Sequence, residues 1–364
     1  MLLYDTRKMD IATKVLDPAA DAPCRLASNR FETGSLLDYD TVLAFGADCD
    51  VLTIEIEHVN TEAMRELKRR GVQVHPDPDA LELIQDKGLQ KAFYAQHGIA
   101  SSAYRLYNGL SELEAAIANG TQSLPVVWKS RRFGYDGKGV RILRTAADLI
   151  GLPDTPCLTE ELVNIHRELA VVAARNQDGE VRCFPACEMV FHPVANLVEQ
   201  VVCPAALPQP LLESAEAVAE QLIEQLGICG LLAVEFFVTP QGELLVNEVA
   251  PRPHNSGHFT IEACFSSQYE QHLRGILNLP LGDPSLKCPA VMVNLVGAEG
   301  HQGKVKYEGA AEILALPGVY LHVYGKAETR PFRKMGHVTV VRHELHEARD
   351  LADRVSKTLN VISI

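Results

Sequence analysis

The chain has 364 residues, 47% of them hydrophobic and 22% charged, with a formal net charge of −13. That length suits two or three domains, each able to bury its own core, and no apolar run approaches the roughly eighteen residues of a membrane helix. The basic residues are dispersed in an acidic protein, which argues against a nucleic-acid surface. The N-terminal MLLYDTRKMD is charged within its first turns and has no signal-peptide core. Nine scattered cysteines (Cys24, Cys49, Cys157, Cys183, Cys187, Cys203, Cys229, Cys264 and Cys288) read as reduced thiols of a cytoplasmic protein, neither a disulfide frame nor a zinc site.

Along the chain, Met1 to Lys8 reads as a helix, and Ala12 to Leu16 and Val51 to Ile54 as strands of a parallel sheet. Asp79 to His97 carries apolar residues at loosely helical spacing, with Lys87 and Lys91 among them; solvated helix lysines are the plain reading of both. Leu124 to Lys129 is a strand, and Val140 to Leu143 its return. The connection Ser130-Arg131-Arg132-Phe133-Gly134-Tyr135-Asp136-Gly137-Lys138-Gly139 holds three glycines, two arginines and a lysine. Such a loop either lies over phosphates through backbone N–H groups and cations or is a plain glycine turn. Cys157 to Val163, Glu168 to Ala174 and Val181 to Ala186 read as a second small antiparallel unit. A helix from about Leu211 to Leu226 leads to the most informative stretch. Beyond that stretch come a helix at Tyr269 to Leu277, strands at Ala290–Val296, Val319–Tyr324 and His337–Val341, and a closing helix from Asp350 to Leu359.

That stretch is a β-hairpin: Leu231 to Val238 has buried-strand composition, Thr239-Pro240-Gln241-Gly242 is a turn, and Glu243 to Val246 returns. With Thr239 facing Gly242, Glu235 lies opposite Val246, and Glu248 is its diagonal neighbour on the same face, roughly 7–8 Å away at Cα. A bulge or a three-residue turn would change that parity. Two facing carboxylates repel unless one takes a proton or a cation sits between them, and Mg²⁺ takes one or two carboxylates together with nucleotide phosphates. The alternative is a solvated strand face. Directly after the hairpin, Asn247, Arg252 and His254-Asn255-Ser256-Gly257-His258 concentrate chemistry in a few positions.

Three segments, Gly134-Tyr135-Asp136-Gly137-Lys138-Gly139, Asn247-Glu248-Val249-Ala250-Pro251-Arg252 with His254 to His258, and Arg330-Pro331-Phe332-Arg333-Lys334-Met335-Gly336-His337, carry a resemblance to the ATP-grasp superfamily. Within it the chain resembles the N5-carboxyaminoimidazole ribonucleotide synthases over nearly its whole length. The paired-glutamate hairpin alone indicates the superfamily; HNSGH and RKMGH together indicate this member. The resemblance implies an α/β and α+β ATP-grasp fold. Residues 1–80 would form a Rossmann-like domain and 81–300 the ATP-grasp region, with a lid at about 120–185. Residues 301–364 would form a C-terminal antiparallel-sheet subdomain. The family's first strand and its glycine-glutamine-leucine-glycine turn fall upstream of Met1.

The resemblance further implies an ATP-grasp ligase that carboxylates 5-aminoimidazole ribonucleotide with ATP and bicarbonate, through carboxyphosphate. Lys87 and Lys129 would meet the ATP phosphates, and Gly134, Tyr135, Asp136, Gly137, Lys138 and Gly139 would form the lid loop. Glu160, Glu161, Leu162 and Val163 would form the adenine hinge, and Glu168 would meet the ribose. Glu235 and Glu248 would hold Mg²⁺, or Mn²⁺ in its place, beside Asn247. The ribonucleotide would meet Glu57, Tyr135, Asp136, Asn255, Ser256, Lys326, Arg333 and Lys334, with Lys326 and Arg333 on its 5′-phosphate. Lys129, Asp136, Arg252 and His254 are the catalytic candidates, and the base is Asp136, His254 or released phosphate. Phe133 and Val140 stand where the family usually has glycine and glutamine, and Phe191 where a histidine is common. A cytoplasmic homodimer is implied, with no membrane or nucleic-acid partner. The competing readings are another ATP-grasp ligase of the formate-dependent glycinamide ribonucleotide transformylase type, and a nucleotide-binding homologue without turnover.

Overall fold

A computed structural model describes residues 1–132, 134, 139–192 and 197–364. Phe133 and the lid-loop candidates Tyr135, Asp136, Gly137 and Lys138 lie outside the described residues. The chain opens with α1 (Leu2–Lys8), β1 (Lys14–Asp17), β2 (Arg30–Thr33), α2 (Tyr39–Gly46), β3 (Val51–Thr53), α3 (Thr61–Arg69) and β4 (Gln73–His75). β1 pairs with β2 and β3 with β4, both in parallel, as expected of strands joined by crossovers and not by tight turns. α3 shows why these segments fold as they do. The Asn60 side chain accepts from the Ala63 N–H at the open end of the helix, and Ala63, Met64 and Leu67 turn one stripe into a core with Phe45, Leu52 and Val74.

The single helical run expected from Asp79 to His97 is two helices, α4 (Pro78–Gln85) and α5 (Lys87–Gln96). Asp86 separates them in an extended conformation, and its carboxylate accepts from the Gly88 and Leu89 N–H groups. It is an N-cap, and it places Lys87 at the first position of the new helix. Next, β5 (Tyr104–Tyr107), α6 (Leu110–Ala118), β6 (Val126–Ser130), β7 (Val140–Leu143) and β8 (Cys157–Glu161) form a small layer, with sheet order β5-β8-β6-β7 over Leu113, Trp128 and Leu143.

β9 (Arg167–Arg175), β10 (Val181–Cys183), β11 (Cys187–Phe191), β12 (Val198–Cys203), α7 (Gln209–Gln225), β13 (Gly230–Val238) and β14 (Leu244–Ala250) follow. The second small unit expected from Cys157 to Ala186 forms only in part: β9 and β10 pair antiparallel, but not as a separate unit. β8 belongs to the four-stranded layer, whereas β9 pairs with β13 along nine residues of a larger sheet. The reason lies in β9 itself: Leu169 to Ala174 is buried on both faces, so the strand needs neighbours on both edges and cover on both sides. One cover is α7, whose Ala215, Ala219, Leu222 and Ile223 pack against Leu169, Val171, Leu232, Val234 and Phe236. The other face carries Ala170, Val172, Met189 and Ala233, packed with Phe259 and Ala263.

The remaining elements are α8 (Thr260–Ala263), α9 (Gln268–Ile276), β15 (Ala290–Val296), β16 (Gly303–Glu308), α10 (Ala310–Leu314), β17 (Val319–Val323), β18 (Glu328–Thr329), β19 (Lys334–Val341), α11 (Leu345–Thr358) and β20 (Asn360–Ser363). Among the described residues the large sheet runs β14-β13-β9-β11-β12-β15-β19-β17, with β10 paired to β9. It thus continues across residue 300, where a subdomain boundary was expected, and puts the strand with the second motif, β19, in the same sheet as the glutamate hairpin. β16, β18 and β20 form a separate antiparallel sheet.

Candidate active site

The hairpin turn has three residues. The Thr239 N–H donates to the Glu243 carbonyl at 3.0 Å, and Gly242 takes φ +83°, a conformation glycine adopts without strain. This shifts the expected register by one. A bulge at Asn247 shifts it again, because Phe236 faces Val246 while Glu235 faces Glu248. The expected diagonal arrangement is therefore corrected: the two glutamates are directly opposed, at the about 4.5–5.5 Å spacing of cross-strand pairs. Glu235 also faces Ala170, two residues from Glu168 on β9, so three carboxylates share one sheet face. Their proximity shows in their ionisation. Burial, then Glu248 and Glu168, push the Glu235 carboxyl upward, and burial pushes Glu168 to about 7. Lys87, with Nζ 2.6 Å from Glu248 Oε2, holds Glu248 below the usual range.

The bulge also sets the position of Asn247. Its Oδ1 accepts from Lys129 Nζ at 3.0 Å, and the same ammonium lies 3.0 Å from Glu160 Oε1. Glu160 is buried on β8, and its other oxygen accepts from Ser102 Oγ at 2.7 Å with Lys91 Nζ at 3.4 Å. Lys91 is 2% exposed, which corrects its reading as a solvated helix lysine. Glu161 donates its N–H to the Ala103 carbonyl, and Leu162 and Val163 continue half-buried beyond the strand end.

At the root of the glycine-rich loop the structure departs from expectation. Arg131 and Arg132, read as loop cations toward phosphate, face Asp86: Arg131 grips its carboxylate with Nε and Nη2 at 2.9 and 2.7 Å, and Arg132 Nε lies at 3.4 Å. A buried carboxylate beside two arginines outcompetes a loop position for their charge. The Lys87 N–H also donates to the Arg131 carbonyl at 2.9 Å, so the loop root is tied to the helix carrying Lys87. At the neck of the loop a Cβ on Gly139, which has φ +78°, would meet Gly134 Cα at 3.3 Å.

The second wall begins at His254. Its Nε2 lies 3.5 Å from Glu235 Oε1 and its Nδ1 2.8 Å from Ser256 Oγ. Arg252 Nε donates to Glu57 Oε1 at 2.7 Å, joining a catalytic candidate to a residue of the N-terminal domain. Asn255 and Asn294 exchange amide hydrogen bonds, both 2.8 Å. Lys326 Nζ donates to the Lys334 carbonyl at 2.7 Å, and Arg333 Nη1 to the Glu328 carbonyl at 2.7 Å. Lys334 is close enough for its charge to act on Glu235. The last histidines of the two sequence motifs, His258 and His337, are buried and stacked with centroids 4.8 Å apart, and burial lowers the pKa of both. That stack is a physical reason for the motifs to occur together.

Among the described residues, Lys87, Lys129, Glu160, Glu235, Asn247, Glu248 and His254 are linked by these contacts, whereas Arg252, Asn255, Ser256, Lys326 and Arg333 direct their side chains to other protein partners. The places of Lys91, Ser102, Asp86 and Asn294 in the site were missed in the sequence. Lys91 stands four positions after Lys87, on the same helix face, Asp86 precedes a helical run as a cap would, and Asn294 is a lone polar residue in an apolar strand; each of these three was a readable signal. Among the described residues no group of three or more His, Cys, Asp or Glu is arranged to hold a metal, so any cation at this site would need ligand oxygens besides the two glutamates.

Comparisons with known proteins give the family. Residues 1–85 match the ribonucleotide synthetase preATP-grasp domain, 92–269 the ATP-grasp domain, and 290–351 the phosphoribosylaminoimidazole carboxylase C-terminal domain. The N5-carboxyaminoimidazole ribonucleotide synthase of Synechococcus elongatus is 37% identical over 346 residues, 93% of this chain and 86% of that protein. The crystal structure of the Thermotoga maritima synthetase of that name superposes with a TM-score of 0.90 and 40% identity, covering 100% of this chain and 96% of that one. A complex of the Aspergillus clavatus synthase with ADP and 5-aminoimidazole ribonucleotide superposes at 0.86 and 30% identity, covering 97% and 95%. With this identity and coverage, and with the sheet face and second wall those motifs build, the chain belongs to the N5-carboxyaminoimidazole ribonucleotide synthase family of ATP-grasp proteins.

Proposed function

We propose that the chain carboxylates 5-aminoimidazole ribonucleotide, using ATP and bicarbonate, to N5-carboxyaminoimidazole ribonucleotide with release of ADP and phosphate. The observation that carries this reading is the meeting of two walls at Glu235. Nucleotide-type groups (Lys87, Lys129, Asn247, Glu248) line one side, and His254 and Lys334 approach from the other. The Aspergillus clavatus complex with ADP and 5-aminoimidazole ribonucleotide supports it.

In this mechanism a bicarbonate oxygen attacks the γ-phosphorus, the bond to ADP breaks, and carboxyphosphate forms. The 5-amino nitrogen then bonds to the carboxyl carbon, directly or after release of CO₂, phosphate leaves, and the amine proton passes to Asp136, His254 or phosphate. Lys87 and Lys129 neutralise phosphate charge, the backbone N–H and carbonyl groups of Glu160 to Val163 hold the adenine edge while the Glu160 side chain turns inward to Lys91 and Lys129, and Glu168 accepts from the ribose. Arg252 and His254 hold the bicarbonate-derived group at the seam. Lys326 and Arg333 take the ribonucleotide 5′-phosphate, with Lys334, Glu57, Asn255, Ser256 and Tyr135 around it. The Gly134–Gly139 loop excludes water from an intermediate that water would destroy. Positioning and charge neutralisation dominate such phosphoryl transfer.

The donor set suits a dication. Glu235 and Glu248 oppose one another directly, and burial, then repulsion from Glu248 and Glu168, push the Glu235 carboxyl upward. These two residues would hold Mg²⁺, or Mn²⁺ in its place, which when bound neutralises charge on the phosphates. A cytoplasmic homodimer fits nine free thiols and the commonest assembly symmetry. The test is ADP release by the purified chain. It should require bicarbonate and 5-aminoimidazole ribonucleotide together; release with formate and glycinamide ribonucleotide instead would refute the reading.

A further inference from the structure

Lys91 is a buried charge that the mechanism above does not use. It lies on α5, one turn after Lys87, and is 2% exposed. Lysine is almost never so buried unless paired. Its ammonium donates to Ser102 Oγ at 2.8 Å and lies 3.4 Å from Glu160 Oε2. Ser102 Oγ donates to that same oxygen at 2.7 Å, while Glu160 Oε1 lies 3.0 Å from Lys129 Nζ. One carboxylate is therefore shared between two lysines, only one of which reaches Asn247 and the glutamate hairpin.

The charge count has a consequence. Lys129 and Glu160 alone would form a neutral buried pair, a poor group for attracting phosphate. With Lys91 the three side chains sum to one positive charge, and the carboxylate is gripped from behind through Ser102. Burial outweighs the pull of Glu160 and lowers the Lys91 pKa to about 8, with Lys129 and Lys87 adding repulsion. Such an arrangement is costly to the fold, and a site that needs a net cation gives it a use.

We propose that Lys91 is a positioning residue for the nucleotide phosphates: it neutralises Glu160 from behind and so leaves the charge of Lys129 available and aimed toward Asn247. This rests on the reading of the site as an ATP site. A lysine that merely stabilises the fold would shift the melting temperature without distinguishing ligands with phosphate from those without.

The full-length chain is titrated calorimetrically with Mg-ADP and, separately, with adenosine, in wild type, Lys91→Met, Lys91→Arg and the double variant Lys91→Met with Glu160→Gln. Thermal melts accompany each titration. Lys91→Met should weaken ADP on the order of tenfold to a hundredfold, the scale of one charge a few ångströms away in a partly buried site, and leave adenosine unchanged. The double variant, which restores the single positive charge, should recover most of the ADP affinity, and Lys91→Arg should keep it. Unchanged ADP affinity in Lys91→Met, or equal weakening of ADP and adenosine, would overturn the proposal. If Lys91→Met does not fold, the double variant decides: near wild-type ADP affinity supports the proposal, and a loss shared equally by ADP and adenosine overturns it. A wild-type chain that binds neither adenosine nor ADP would overturn the ATP reading itself, and this inference with it.

Discussion

Replacing Glu248 by Gln separates the site from the fold. The residue faces Glu235 across the hairpin and lies 2.6 Å from Lys87 Nζ, yet its side chain is 43% exposed. Lys87 is 15% exposed, but Gln keeps an oxygen facing its ammonium, so the change costs about 1 kcal/mol of stability, and the hairpin beneath it is held by Val234, Phe236, Val246 and Val249 in the core. The fold should therefore survive, with a melting temperature within a few degrees of wild type. Function should not. Removing one preorganised electrostatic group from a charge-developing site lowers kcat by about 10²–10³, or about 2.7–4 kcal/mol, several times the structural effect. The assay is the initial rate of ADP release at saturating ATP, bicarbonate and 5-aminoimidazole ribonucleotide, with melts run in parallel. A kcat unchanged from wild type, with the same dependence on Mg²⁺, would refute the assignment of Glu248 to the nucleotide metal.

Arg333→Ala should raise KM for the ribonucleotide and leave KM for ATP nearly unchanged, as steady-state kinetics with each substrate varied will show; equal losses would mean that the 5′-phosphate lies elsewhere. Asp86→Ala removes both the α5 cap and the anchor of Arg131. It should cost about 2–4 kcal/mol in denaturant unfolding, and it should raise KM for ATP because Lys87 loses its fixed start. Glu168→Gln tests the carboxylate cluster through stability. The Glu168 pKa is raised to about 7, so below the ordinary carboxylate range both folded and unfolded forms are protonated and its ionisation has no effect on stability. As pH rises through about 7, ionisation of the buried group destabilises the nucleotide-free protein. The variant should therefore melt higher than wild type at pH 8 and equal to it at pH 4; a difference independent of pH would contradict burial as the cause of the raised pKa.

The fold was largely legible because its elements declare themselves locally. The α7 stripe, the β15 run and the Thr239–Gly242 turn each follow from periodicity or turn chemistry, and the glutamate hairpin could be read as a site because two carboxylates on one buried strand pair need a cation or a proton. What could not be read was set by tertiary partners. The bulge at Asn247 leaves no mark in composition, yet it turns a diagonal pair of glutamates into an opposed one and aims the asparagine at Lys129. The membership of β9 in the large sheet depends on β13, about sixty residues away in sequence. Lys91 and Arg131 looked like solvent or ligand cations because the carboxylates that claim them, Glu160 and Asp86, could be matched to them only once α5 was packed against β8 and the end of β6. Roles taken from the family resemblance name single residues, and the geometry shows which of those side chains hold one another.

The most direct test of the central claim, that bicarbonate attacks ATP at the seam marked by Glu235 and His254, is turnover with ¹⁸O-labelled bicarbonate followed by mass analysis of the phosphate released. Attack of a bicarbonate oxygen on the γ-phosphorus predicts one ¹⁸O atom in each phosphate formed. Phosphate without the label, formed while 5-aminoimidazole ribonucleotide is carboxylated at the full rate, would contradict it.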